Sequence, residues 1–279
     1  VNLGRPATTG IPGYILPKDV KAKLFLKYHH SVKSVVSLPE GAIHIKKSGS
    51  KIKGGWMEYN LKGNIIGRST IQVRYNDGLL QTISYKVIPP EKELIDNYGN
   101  FLMAKQWFDP PNDTFHRNPS VISYDNEKKQ QVTQEERVWI AGLSDEGGAG
   151  SWLGAMMKQL IVPDKTQITK LQQFADKTLW GQIQFSNGKH KYGVKKSLFY
   201  YEPLLMPKGT YNPDINYNTW SAWPEKEANS VGRSYNYPHV AAAWWVLYRT
   251  ARNYQGLIDS GNWKLYLENA YHTAMAMTE

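Results

Sequence analysis

Residues 69–88 read STIQVRYNDGLLQTISYKVI. Two β-branched and aromatic runs flank Asn76-Asp77-Gly78, a trio that readily takes up the positive φ angles a tight reversal needs, so the stretch predicts a hairpin of strands 69–75 and 80–88. Outward from it, strands are expected at 22–28, 42–45 and 56–61, short, partly alternating and separated by turn dipeptides such as Lys62-Gly63. This pattern predicts a β-sandwich-like domain over residues 1–90, or the end of a larger one, closed by Pro89-Pro90.

Beyond the prolines the periodicity changes. Residues 91–136 read as a helix at 91–106 followed by a long polar excursion over the surface, rich in turn formers and carrying the glycosylation-type triplet Asn112-Asp113-Thr114. From Arg137 onward helices are expected at 149–162, 166–178, 238–255 and 262–279; Asp164 precedes Ile168, Leu171 and Phe174 as a capping residue ahead of helical apolar spacing. Helices alternating with long aromatic loops over 137–279 predict an α-hairpin toroid domain, although no sequence repeat supports it. The fold class is therefore α+β and multidomain. The Val1 start and the helical reading of Glu279 agree with a chain that is part of something longer.

Composition narrows the chemistry. The absence of cysteine removes disulfides, thiolate metal sites and a cysteine nucleophile. The longest apolar run, 240–247, is far short of the roughly 20 residues of a membrane helix. The net charge of +10 is concentrated in residues 1–90, which hold 14 Lys and Arg against 4 Asp and Glu, while 91–279 hold 20 of each. Such a basic face attracts a polyanion or keeps a sheet surface soluble and its edges apart.

The segment Trp220–Tyr248 carries the densest chemistry. Sugars present hydroxyls and C–H faces together, and this block offers Trp220 and Trp223 as stacking platforms with Arg233, Tyr235, Tyr237 and His239 as polar partners. Glu225 and Glu227 would share a side in an extended segment and diverge in a helical turn. Glu227, near Arg233 in sequence, reads as its salt-bridge partner, leaving Glu225 the freer carboxylate. A second acidic pair, Asp145-Glu146, opens the glycine turn before Trp152, which is taken as a further sugar-binding ring. Paired carboxylates suit glycoside hydrolysis, so Asp145 or Glu146 with Glu225 or Glu227 is the expected acid/base pair. Tyr235, His239, Arg233 and Asn229 instead suit a lyase, which removes a proton beside a uronic carboxylate. A third alternative is glycan binding without catalysis.

Other constellations are weaker. Gly148, Gly150 and Gly154 approximate a dinucleotide fingerprint, but Leu153 stands where the third glycine belongs. Residues 192–203 are basic and aromatic, able to line a cleft, and carry no nucleic-acid motif. His29-His30 has no sequence partner at metal-ligand spacing, so no metal site or cofactor is expected.

Three strings, residues 139–150 (WIAGLSDEGGAG), 196–201 (KSLFYY) and 230–239 (SVGRSYNYPH), resemble a group of secreted fungal and bacterial proteins of unknown function that is similar to six-hairpin glycosidases. The resemblance covers roughly residues 90–279. It implies a β-sandwich followed by an (α/α)6-toroid-like domain, a carbohydrate substrate and an extracellular location. A full toroid needs about twelve helices, so the toroid is expected to be incomplete in this chain, with its open apolar face covered by the rest of a longer protein or by another copy. Nucleic acid and membrane are not among the partners expected from the residues.

Overall fold

The computed structural model describes residues 13–49, 52–258 and 263–278, so Val1, residue 262 and Glu279 lie outside the described residues. The chain divides into two compact units, Val1–Asp96 and Asn97–Glu279.

Among the described residues the first unit contains seven strands: β1 (Tyr14–Pro17), β2 (Lys21–Leu26), β3 (Val32–Leu38), β4 (Ile43–Lys47), β5 (Met57–Gly63), β6 (Gly67–Tyr75) and β7 (Leu80–Ile88). They form one sheet in the order β1-β7-β6-β3 and another in the order β2-β5-β4. The hairpin read from residues 69–88 is present, with Arg74 opposite Leu80 and Ile71 opposite Ile83. Period-two alternation buries Ser69, Ile71, Val73 and Tyr75 on one face of β6. That face joins Leu24 and Leu26 of β2 and Tyr59 and Leu61 of β5 in a single apolar cluster, so both sheets share one core. The sequence pattern missed β1 and β3. β1 has only four residues and pairs parallel to β7, a contact no local signal announces. The β3 pairing with β6 is irregular between Val32 and Ser34, which disturbs its alternation.

The helices begin with α1 (Glu91–Phe101), which continues as a π-helical turn, Leu102–Gln106. In the second unit, two-residue strands follow: β8 (Trp107–Phe108) pairs with β9 (Ser120–Val121), and β10 (Tyr124–Asp125) with β11 (Gln130–Gln131). The excursion after residue 108 is therefore no simple surface loop. Phe115, Arg117, Val121 and Ile122 are all buried within it.

The remaining helices are α2 (Val138–Ala141), α3 (Glu146–Lys158), α4 (Lys165–Phe174), α5 (Glu225–Ala228), α6 (Tyr237–Asn253) and α7 (Trp263–Ala276). Asp164 caps α4 by accepting a hydrogen bond from the Gln167 amide at 2.9 Å. Trp244 of α6 stacks on Tyr266 of α7 at 6.1 Å, and Tyr248 meets Trp263 at 6.0 Å. Contacts that step backward along α6 as they step forward along α7 define an antiparallel helical hairpin. Its interior is polar at one point, where Gln184 accepts from Trp244 Nε1 and donates to Thr273 Oγ1. The architecture is thus mixed α+β; among the described residues there is no closed barrel, and no helix is long and apolar enough to cross a membrane.

Candidate functional site

The site is built where three distant segments converge. Ser197 N donates to Ala228 O and Lys196 N to Ser230 O, while on the other side Leu198 N donates to Gly142 O. Residues 196–198 are thereby held between the end of α5 and the turn after α2. The packing at that turn is close enough to demand glycine: a Cβ on Gly142 would lie 1.8 Å from Ser197 Oγ, and one on Gly148 would lie 2.4 Å from Trp139 O. Leu143, between them, adopts a left-handed φ of 65° while fully buried, and Trp152 Nε1 fixes its carbonyl at 2.8 Å. Trp152 itself is 0% exposed and packs on Phe174 at 5.5 Å. It shapes the acidic turn from within the core, and its expected part as a sugar-binding ring is corrected by this burial.

The turn delivers Asp145 to Arg233. Asp145 is 1% exposed, and Arg233 Nε donates to its Oδ2 at 2.5 Å. The guanidinium is framed by rings, with Trp139 at 5.9 Å, Trp223 at 5.6 Å and Tyr235 at 5.5 Å from its carbon. Lys196 Nζ stands 3.9 Å from the centre of the Trp223 ring and is ion-paired with Glu227. Here the pairing expected from sequence is corrected: Arg233 takes Asp145, 88 residues away, and Glu227 takes Lys196. Lys196, Glu227, Ser230, Gly232, Arg233, Ser234 and Tyr235 line a cavity of about 360 Å³, within the size range of small-ligand clefts.

Glu225 and Glu227 lie within the single helical turn α5, which turns them about 200° apart instead of aligning them as an extended segment would. Glu225 is exposed and acts electrostatically on Lys195 and Tyr200, outside the cavity lining. Trp223 is buried at 6%, closed in by Trp139 and the two cations, whereas Trp220 is 82% exposed and lies 5.5 Å from Trp139. Of the two expected platforms, only Trp220 presents an open ring. Tyr237 is buried at 3% and donates to Val231 O at 2.7 Å, a loop anchor with its hydroxyl already engaged. Tyr235 is 68% exposed at the cavity. His239, in the first turn of α6, keeps a buried Nδ1 without a hydrogen-bond partner among the described residues. Asn229 closes α5 as its C-terminal cap.

Glu146 completes the acidic turn. A hydrogen bond with Asp145 is the largest cause raising its pKa above the usual glutamate value, helped by partial burial and the nearby Asp145 charge and opposed by the charge of Arg233. The raised value means that the protonated form is favoured in the fold. Its stabilisation is present below about pH 4.3 and is lost as pH rises through the raised pKa. A carboxyl-carbon NMR titration is expected to place the Glu146 midpoint above the usual glutamate value of about 4.3. A midpoint at or below that value would show that Asp145 does not hold the Glu146 proton in place.

Trp139, Lys196 and the serines Ser230 and Ser234 were not picked out as site residues by spacing. The three strings 139–150, 196–201 and 230–239 nevertheless each contribute one member of the cluster Trp139, Lys196 and Arg233. A second cavity, about 650 Å³ and larger, lies in the first unit among mostly apolar residues including Leu24, Phe25, Trp56 and Ile83. Volume alone gives it no chemistry, so the smaller polar cavity is the better candidate.

A family of unknown function matches the sequence from residue 1 to residue 279. The chain belongs to that family, DUF5695. The polysaccharide lyase BACCELL_00875 resembles this family member with a TM-score of 0.60 at 16% identity, over 95% of this chain and 33% of the lyase. At that identity the likeness is one of fold, and the chain spans about a third of the lyase's length. Domains 4 and 5 of the S-layer protein SbsC are 19% identical over 27% of this chain and 41% of theirs, with a TM-score of 0.23 that bears no weight. No curated protein matches the sequence. The resemblance to a group of unknown function read from the three strings therefore holds, extended over the whole chain, and a solved structure that shares the fold is a polysaccharide lyase.

Proposed function

We propose that this protein acts on an acidic polysaccharide and cleaves it by β-elimination at the Arg233–Tyr235 cavity. The observation that carries the reading is the exposed Tyr235 phenol set against the Arg233 guanidinium, with Lys196 lining the same cavity. A guanidinium held by a buried carboxylate keeps N–H groups to spare, since only part of its five-donor fork is engaged by Asp145. Those groups would neutralise a uronate carboxylate and so acidify the adjacent C5–H. Tyr235, as phenolate, would take the C5 proton; the C–H electron pair would form the C4=C5 double bond as the C4–O bond breaks, and the proton would pass to the departing oxygen.

Hydrolysis fits less well. Asp145 is tied to Arg233 and Glu227 to Lys196, and Glu225 diverges from Glu227 on α5. The fold shared with a polysaccharide lyase supports elimination, as does the cationic lining. Trp220 would supply a stacking ring beside the site. On this reading the helices belong to an incomplete toroid closed by further chain or by another copy, and a polysaccharide substrate suits an extracellular setting.

The test is a comparison of ultraviolet absorbance with reducing-end release on alginate, pectate, hyaluronan and heparin. Elimination is expected to raise both together, with Tyr235→Phe lowering the rate by about 100-fold or more at unchanged stability. Reducing ends without new absorbance would make the enzyme a hydrolase. Binding without either product would make it a lectin-like module.

A further inference from the structure

We propose that His29, His30 and Asp77 form a binding site for a divalent transition-metal ion on the first unit. In an extended strand, consecutive side chains point to opposite faces, so a His-His doublet by itself cannot chelate. Here the chain bends after β2 at His29 and His30, and their ring centres lie only 4.6 Å apart. The turn between β6 and β7 brings Asp77 to them. One ligand atom from each of the three residues lies within 4.8 Å of the other two. Neighbouring ligands of a tetrahedral zinc ion stand about 3.3 Å apart, so closure needs side-chain shifts of about 1.5 Å or less. All three residues are exposed and have room to make them.

The backbone under the site is already fixed. Asn76 N donates to Ser31 O at 3.0 Å, and Asn76 Nδ2 to Ser31 Oγ at 2.5 Å, which clamps the two turns together. Tyr28 OH donates to Asp77 Oδ2 at 2.9 Å, and Leu79 N to Asp77 Oδ1 at 3.1 Å. Hydrogen bonds of this kind orient a ligating carboxylate while leaving lone pairs for a metal. His30 Nε2 already lies 3.8 Å from Asp77 Oδ2. Two imidazoles with one carboxylate suit zinc or copper and not calcium or magnesium, which require oxygen ligands. Three protein ligands also leave a position open for water or a ligand atom.

Calorimetric titration of the 279-residue chain with zinc chloride is expected to show one ion per chain. His29→Ala, His30→Ala and Asp77→Asn should each weaken binding by about 10-fold or more, while His44→Ala, an exposed histidine of β4, leaves it unchanged. Thermal melts of the metal-free variants at wild-type values would exclude loss of fold, and the two histidine variants keep the test open should Asp77→Asn disturb the turn. No binding below millimolar zinc, binding indifferent to all three substitutions, or equal binding of calcium would each overturn the site.

Discussion

Arg117→Ala is expected to destabilise the second unit by about 3–5 kcal/mol, the cost of leaving a buried charge without its partner. Arg117 and Asp113 have side chains 3% and 7% exposed, and they are joined by a two-pronged pair, Nη2 to Oδ1 at 2.8 Å and Nε to Oδ2 at 3.0 Å. Nη1 also donates to Thr133 O at 2.7 Å and Ala141 O at 3.0 Å. The guanidinium is surrounded by Phe108, Phe115 and Phe199, each with its ring centre within 5.6 Å. One cation thus fastens the excursion after β8 to the end of α2. Urea unfolding followed by tryptophan fluorescence measures the loss, and Arg117→Lys should recover only part of it, because an ammonium cannot serve two carbonyls and a carboxylate in one plane. A change below about 1 kcal/mol would show that the pair is not the fastening described.

The same pair has a pH signature. Burial opposes ionisation of Asp113, but the hydrogen bonds and charge of Arg117 outweigh it and hold the carboxyl below its usual range. A depressed pKa contributes stability that is fully present above about pH 3.9, the unfolded value, and is lost as pH falls through the lower folded value. Stability of the wild type should therefore fall more steeply below pH 4 than that of Arg117→Ala.

Trp152→Ala should cost about 3–5 kcal/mol, as removal of a fully buried large ring does. It empties the contact with Phe174 and releases the Leu143 carbonyl that the indole N–H holds at 2.8 Å. Trp152→Phe keeps most of the volume and loses only the donor, so about 1–3 kcal/mol is expected. Thermal and urea unfolding distinguish the two. A variant of wild-type stability with impaired sugar binding would return Trp152 to the binding residues; the burial requires the opposite.

Elements whose signal is local were legible in the sequence. Asn76-Asp77-Gly78 forces the β6–β7 reversal through backbone φ preferences, and Asp164 starts α4 through one hydrogen bond from the amide three residues on. β1 was not legible, since four residues become a strand only because β7 offers a parallel edge. At the site, residue types were informative and pairings were not. Glu227 and Arg233 are close in sequence, yet α5 and the turn that follows direct them to Lys196 and Asp145.

The sequence by itself determined which side chains are present, where strands give way to helices, and that the chemistry of residues 139–239 mixes rings, cations and acids. The reason is that turn propensity, capping and periodicity act over a few residues. Only the tertiary structure decided that Trp152 supports the acidic turn from inside, that Arg233 holds Asp145, and that Asp77 meets His29 and His30. Those outcomes depend on burial and on ion pairing between segments up to 88 residues apart, where the gain comes from desolvated packing and charge that no local pattern records.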